Sequence, residues 1–183
     1  MNPRGIIFLV GMPGCGKSTL ARALAAAGLC SMADLDTAVE QRAGMSVARI
    51  MATQGEAAFR RMEAEALAAV AGCDAEERPL VVSTGGGVPC HGDNMGRMLA
   101  AGTVVWLQSA AERTVQRLAE APGQRPAADR AMAEGRLREW HDELLAARAP
   151  AYARAHSTFD TTELDDVAAV AAAVERFRRE YKL

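Results

Sequence analysis

Nine residues, Gly11-Met12-Pro13-Gly14-Cys15-Gly16-Lys17-Ser18-Thr19, constrain this chain more than any others. They fit the pattern G-x-x-x-x-G-K-[ST], follow the apolar run Ile6-Ile7-Phe8-Leu9-Val10, and lead into a helix-forming stretch from Leu20 to Ala27. Strand, glycine-rich loop and helix in that order form a cradle for phosphate. The glycines let the backbone wrap closely around a polyphosphate. The N–H groups opening the helix face the anion, with the helix dipole behind them. Lys17 reaches the outer phosphates, and the Ser18 hydroxyl suits Mg²⁺. Gly14, Cys15, Gly16, Lys17, Ser18 and Thr19 are therefore the expected contacts of a nucleoside triphosphate. A glycine turn that merely precedes a helix needs neither the Lys-Ser pair nor the fixed spacing.

The rest of the chain alternates short apolar strands with helices. Strands are expected at 6–10, just before Asp34, at 80–84, 103–107 and 158–160. Helices are expected at 17–27, stopped by Gly28, and through a tract at 37–70 broken near Gly44 and Gly55. Within that tract Ser46 caps 47–53, and 56–70 is rich in Ala, Glu, Arg and Met. Further helices are expected at 92–100, 110–120, 130–148 (ended by Pro150) and 167–181, with polar connections at 74–79 and 121–129. The pattern predicts an α/β fold: a five-stranded parallel sheet with helices on both faces, a three-layer α/β/α sandwich. Ligands of such sheets bind beyond the carboxyl ends of the strands. With 183 residues the chain is read as one domain, carrying an insertion at about 37–70 and a lid at about 119–135 over the binding edge.

The formal net charge of −2 gives no electrostatic reason to expect nucleic acid or an acidic membrane as partner. The five-residue N-terminal apolar run is too short for a signal peptide or a membrane span. Four cysteines, at 15, 30, 73 and 90, form no C-x-x-C pair and read as reduced thiols of a cytoplasmic protein. For Cys15 the plain reading is a small side chain that the loop tolerates.

A phosphate loop does not name the second substrate. Asp34 and Asp36 end the second strand, and residues two apart on an extended segment point the same way. Asp34 would serve the metal shell, and Asp36 would orient a hydroxyl and take its proton. The same pair equally fits a helix N-cap with a neighbouring acid. Arg60, with Glu63 one turn on, fits a solvated helix pair. Gly85-Gly86-Gly87 after a buried strand points elsewhere, because three glycines there let backbone approach a ligand. Ser83, just before them, suits metal-bound water. Arg125, in a loop, is placed to swing over a γ-phosphate. Arg117 can stack on a base.

Together these residues resemble the shikimate kinases over almost the whole chain. The resemblance rests on the phosphate loop, Asp34-Leu35-Asp36, the string Gly55-Glu56-Ala57-Ala58-Phe59-Arg60-Arg61-Met62-Glu63, the triple glycine, Arg125-Pro126 and Arg148-x-Pro150-x-Tyr152. It implies the P-loop, nucleoside monophosphate kinase-like fold. It also implies transfer of phosphate from ATP, with Mg²⁺, to the 3-hydroxyl of shikimate. By that resemblance Lys17, Asp36 and Arg125 are catalytic, and Asp36, Arg60, Gly85, Gly86, Gly87 and Arg148 bind shikimate. Ser18 binds the metal directly, Asp34 and Ser83 bind it through water, and Arg117 joins the ATP site. Glu63 orients Arg60, while Val47 and Phe59 wall the ring. Met32, Met51 and Ala127-Ala128 depart from the family's usual residues, and its adenine-bordering proline has no clear match at 162–166.

Two other readings compete. Another small-molecule kinase of this fold, of gluconate or nucleotide type, would keep the phosphate loop and lid arginine. It would give no reason for two arginines, an aspartate and a glycine triplet to converge. A catalytically silent nucleotide-binding module would have no need of Lys17, Ser18, Asp36 and Arg125 together. The chain is expected to act as a monomer.

Overall fold

The computed structural model describes residues 5–73, 78–123 and 125–183. Most of the connection expected at 74–79, and Gln124 of the one expected at 121–129, lie outside them. The elements run β1 (Ile6–Val10), α1 (Lys17–Ala26), β2 (Ser31–Asp34), α2 (Leu35–Ala43), α3 (Val47–Gln54), α4 (Glu56–Ala71), β3 (Leu80–Ser83) and a 3₁₀ turn (Val88–Cys90). They continue with α5 (Asn94–Ala101), β4 (Thr103–Gln108), α6 (Ala111–Glu120), α7 (Pro126–Ala133), α8 (Leu137–Tyr152), β5 (Ser157–Asp160) and α9 (Val167–Tyr181).

The strands form a parallel sheet in the order β2-β3-β1-β4-β5. Phe8 of β1 stands between Val82 of β3 and Val104 of β4. All five residues of β1 are buried, as are Val81, Val82, Val104 and Val105, which is why the inner strands read as unbroken apolar runs. The edge strand β2, Ser-Met-Ala-Asp, is only half-buried, and its sequence carries a correspondingly weak strand signal. Helix α1 packs on α9, while α4 packs on α5, so two helical layers cover the sheet. Because every strand is parallel, every strand ends at the same edge. The phosphate loop, the Asp34–Asp36 stretch, the glycine triplet and the segment after β5 all gather there.

Local signals account for most helix limits. Gly44 (φ 65°) and Gly55 (φ 81°) separate α2, α3 and α4, and the Ser46 hydroxyl accepts from the Arg49 N–H. Three expectations are corrected. The stretch 121–129 is not all loop, because α7 starts at Pro126, where a missing N–H costs a helix nothing. The long helix expected at 130–148 is two helices, parted at Gly135 with φ 69°. Pro150 does not end α8. It removes one donor, yet the Ala153 N–H still reaches the Ala149 carbonyl at 2.8 Å, so the helix continues through Tyr152. Ala128 and Ala131 pack with Leu118 and Leu137 in a small apolar cluster apart from the main core. Ala128 is therefore part of what seats α7.

Candidate active site

The phosphate loop is built from backbone that only glycine adopts readily: φ is 141° at Gly11, 83° at Gly14 and 95° at Gly16. At Gly11 and Gly16 a side chain would also collide. A Cβ on Gly11 would lie 2.6 Å from the Leu107 carbonyl, and one on Gly16 2.5 Å from Leu164. Lys17 opens α1 and is buried. Its ammonium bends back over the loop and donates to the Gly11 and Met12 carbonyls, both at 2.8 Å. Cys15 is buried in the core, 3.8 Å from that ammonium. Thr19 follows Ser18 in the first turn of α1.

Ser18, Asp34 and Ser83 meet at the ends of neighbouring strands. The Ser18 hydroxyl donates to Asp34 Oδ2 at 2.9 Å and lies 3.0 Å from the Ser83 hydroxyl. The acid pair is not the extended i, i+2 arrangement. The strand stops at Asp34, which caps α2 by accepting from the Asp36 and Thr37 N–H groups at 3.1 and 3.3 Å. Asp36 thus stands in the first helical turn. The cap reading and the metal-side reading of Asp34 are compatible, because each uses a different carboxylate oxygen.

Around the triple glycine the expected residues converge. A Cβ on Gly85 would lie 2.9 Å from both Asp36 Oδ1 and Glu63 Oε1. One on Gly86 would lie 3.0 Å from Arg148 Nη1 and 3.0 Å from Pro13, and one on Gly87 2.7 Å from Arg60 Nη1. None of the three has a positive φ, so these glycines are required for space and not for backbone conformation. Arg60 donates to Glu63 Oε2 at 2.6 Å and to Glu56 Oε1 at 3.0 Å. The pair with Glu63 is not the solvated surface pair that spacing alone allows, because Glu63 is 1% exposed. Burial pushes the Glu63 carboxyl up, against the pull of the Arg60 guanidinium. Asp36 is exposed to the cleft, and the protein packed around it partly desolvates its carboxyl. That environment and the nearby Asp34 charge raise its carboxyl, while Lys17 and Arg125 act against the rise. Their influence brings Asp36, Lys17 and Arg125 into one electrostatic neighbourhood.

Phe59 is buried in the core, and Val47 packs against it. Met51 is 38% exposed. Arg117 is committed to the segment after β5: it donates to the Thr161 carbonyl at 3.1 Å, the Thr162 carbonyl at 2.6 Å and Asp165 at 2.9 Å. Two participants, Thr161 and Leu164, have no local sequence signal, and a third, Tyr152, stands in the string Arg148-x-Pro150-x-Tyr152 with no role read from it. The buried Thr161 hydroxyl lies 2.6 Å from the Cys15 carbonyl of the phosphate loop, which can accept its proton. Leu164 covers Gly16, and the Tyr152 hydroxyl donates to the Gly86 carbonyl at 2.6 Å.

The family model described as shikimate kinase matches residues 13–178. A shikimate kinase of Parabacteroides distasonis is 39% identical over 158 residues, covering 86% of this chain and 88% of that protein. The crystal structure of the Bacteroides thetaiotaomicron shikimate kinase superimposes with a TM-score of 0.87 at 34% identity, covering 97% of this chain and 98% of that one. The Acinetobacter baumannii enzyme, solved in complex with shikimate, gives 0.80 at 28% identity, covering 97% and 93%. With a phosphate loop at one end of the cleft and two arginines, two acids and a glycine triplet at the other, the chain belongs to the shikimate kinase family.

Proposed function

We propose that this chain transfers the γ-phosphoryl group of ATP to the 3-hydroxyl of shikimate, giving shikimate 3-phosphate and ADP. The observation that carries this reading is the convergence of Asp36, Arg60 and Arg148 on Gly85–Gly87, beside the phosphate loop. Two guanidinium groups suit the carboxylate of a small hydroxylated acid, which they can grip as planar forks. Asp36 holds the ring hydroxyls, orients the attacking one and takes its proton as the oxygen bonds to phosphorus. Its raised carboxyl favours that transfer. Glu63 fixes Arg60 in place.

On the donor side, the Lys17 ammonium turns from the Gly11 and Met12 carbonyls toward the outer phosphates. Gly14 to Thr19 offer backbone N–H groups, and Arg125, at the N-terminus of α7, closes over the γ-phosphate as charge develops. The flat face of Arg117 borders the base. Mg²⁺ fits the clustered hydroxyl and carboxylate oxygens: Ser18 would hold it directly, and Asp34 and Ser83 through water. Bound there, it would neutralise phosphate charge. In this reading α2 to α4 supply the acceptor side, 119–135 forms the lid, and the enzyme works as a cytoplasmic monomer with its four thiols free.

A coupled assay of ADP release tests the proposal with Mg-ATP and a panel of shikimate, gluconate and nucleoside monophosphates. Turnover with shikimate is expected. Turnover only with gluconate or a nucleotide overturns the acceptor assignment, and tight ATP binding without turnover on any acceptor overturns the kinase reading.

A further inference from the structure

The residues Arg148-x-Pro150-x-Tyr152 place two side chains one helical turn apart on α8, and the mechanism above uses only the first. Tyr152 is fully buried, and its ring lies 5.7 Å from that of Trp106. Its hydroxyl donates to the Gly86 carbonyl at 2.6 Å. That carbonyl belongs to an unusual peptide. The Val88 N–H bonds to the Gly85 carbonyl at 3.1 Å, so residues 85–88 form a β-turn, and Gly86–Gly87 is its central peptide.

Rotating the central peptide of a β-turn by half a turn converts type I to type II. The second form requires a positive φ at the third residue, which glycine alone adopts without penalty. With glycine on both sides of the peptide, sequence leaves either form open here. The structure holds type I, with Gly87 at φ −87°, ψ −19°. In a trans peptide the C=O and the following N–H point in opposite directions. A carbonyl held by Tyr152 therefore turns the Gly87 N–H to the opposite side of the turn, and no acceptor among the described residues takes it. Arg60 and Arg148 border the same turn.

We infer that Tyr152 is a positioning residue. Its hydroxyl selects one orientation of the Gly86–Gly87 peptide, so that the Gly87 N–H stands ready to donate to an oxygen of the acceptor between the two arginines. The inference rests on the proposed shikimate site. Burial raises the phenol well above its ordinary range, so the hydroxyl keeps its proton at any pH at which the enzyme would be assayed. The effect of removing it is accordingly independent of pH.

The test has two arms. In Tyr152→Phe the ring remains and the hydroxyl is lost. The expected result is a five- to twentyfold rise in the KM for shikimate at every pH, with the KM for ATP within twofold. A merely structural role would move both together with Tm, and that result, or an unchanged shikimate KM, overturns the inference. The second arm needs no variant. In ¹⁵N-labelled wild-type enzyme titrated with shikimate alone, the Gly87 amide resonance is expected to move downfield with saturation. Turnover of shikimate with a stationary Gly87 resonance overturns the role of Tyr152 and leaves the proposed function standing. Failure to bind or turn over shikimate at all overturns the function itself, and this inference falls with it.

Discussion

Replacing Gly87 with alanine adds one carbon atom at a point where the structure makes its effect calculable. The new Cβ would sit 2.7 Å from Arg60 Nη1 and 3.1 Å from both Cζ and Nη2. Gly87 has φ −87°, an ordinary value for alanine, so no backbone strain accompanies the change. The guanidinium has to retreat by about 0.7 Å to restore ordinary contact near 3.4 Å. It is not free to do so, because Glu63 holds Nη1 at 2.6 Å while Glu56 holds Nε at 3.2 Å and Nη2 at 3.0 Å. A retreat of that size breaks the alignment with the buried Glu63. A hydrogen bond to a charged group contributes roughly 1.5–3 kcal/mol. If that loss falls on acceptor binding, the KM for shikimate rises about ten- to hundredfold, at about 1.4 kcal/mol per tenfold. The KM for ATP should stay within about twofold, since the clash is confined to the acceptor side. Steady-state kinetics with each substrate varied in turn measures both. Gly92→Ala is the control: its φ of 53° strains an alanine, yet nothing lies within 4 Å of the new Cβ. It should lower Tm, by a strain of about 1 kcal/mol, without altering either KM. An unchanged shikimate KM in Gly87→Ala, or an equal rise for ATP, would show that Arg60 and the glycine triplet do not shape the acceptor site.

Asp36→Asn should lower kcat by about 100-fold or more, the usual contribution of a positioned general base, while ATP affinity changes little. Asp36 has a raised carboxyl, so the wild-type kcat should fall on its acid side at a pH above the ordinary carboxylate range. The linkage to stability has a definite sign: the folded state holds this proton more tightly than the unfolded chain, so the carboxylate costs stability as pH rises through its folded pKa. The melting temperature of unliganded Asp36→Asn should therefore gain on wild type between acid and neutral pH in calorimetric scans, and an unchanged difference would contradict the assigned environment. Arg148→Lys should mainly raise the KM for shikimate, because an ammonium cannot form the bidentate fork. A change confined to the ATP parameters would move Arg148 to the donor side. Arg117→Ala releases the Thr161 and Thr162 carbonyls and Asp165. It should raise the KM for ATP and lower Tm while leaving the shikimate KM within about twofold, since each lost bond contributes on the order of 1 kcal/mol.

What could be read from the sequence follows how local each signal is. The strand Ile6–Val10, the phosphate loop, the Ser46 cap and the breaks at Gly44 and Gly55 are set by residues within one or two turns of each other, and they stand where expected. Pro126 and Pro150 misled because proline marks a helix end only on average. At the first helical position it is favourable, and within the last turn it removes a single bond. The acceptor side was legible as residue types but not as geometry. That Asp36 and Glu63 share the space beside Gly85 depends on α2, α4 and the end of β3 meeting, which no local pattern encodes. The pairing of the Thr161 hydroxyl with the Cys15 carbonyl spans 146 positions and involves a hydroxyl with no motif around it. Cys15 itself, conspicuous within the loop, is a buried apolar filler whose carbonyl is held and whose thiol packs into the core.

Asp34 shows how closely the two halves of the cleft are joined. One of its oxygens receives the Ser18 hydroxyl, from the first turn of the helix that follows the phosphate loop. The other caps α2 and so fixes the backbone N–H of Asp36, the residue assigned to the acceptor hydroxyl. A short carboxylate at the end of an edge strand thereby sets the distance between the donor and acceptor groups with no intervening loop. Glutamate could not do both, since its extra methylene would carry the oxygens away from either the cap or the serine. The strand order contributes equally: β3 lies between β2 and β1, so Ser83 emerges between Asp34 and the phosphate loop and completes the oxygen cluster from a third direction. Because the parallel sheet brings these strand ends to one edge, residues 18, 34 and 83 meet within hydrogen-bond distance, and the same edge sets the glycine triplet beside Asp36. Short polar side chains then suffice to join the phosphate loop to the proposed acceptor site.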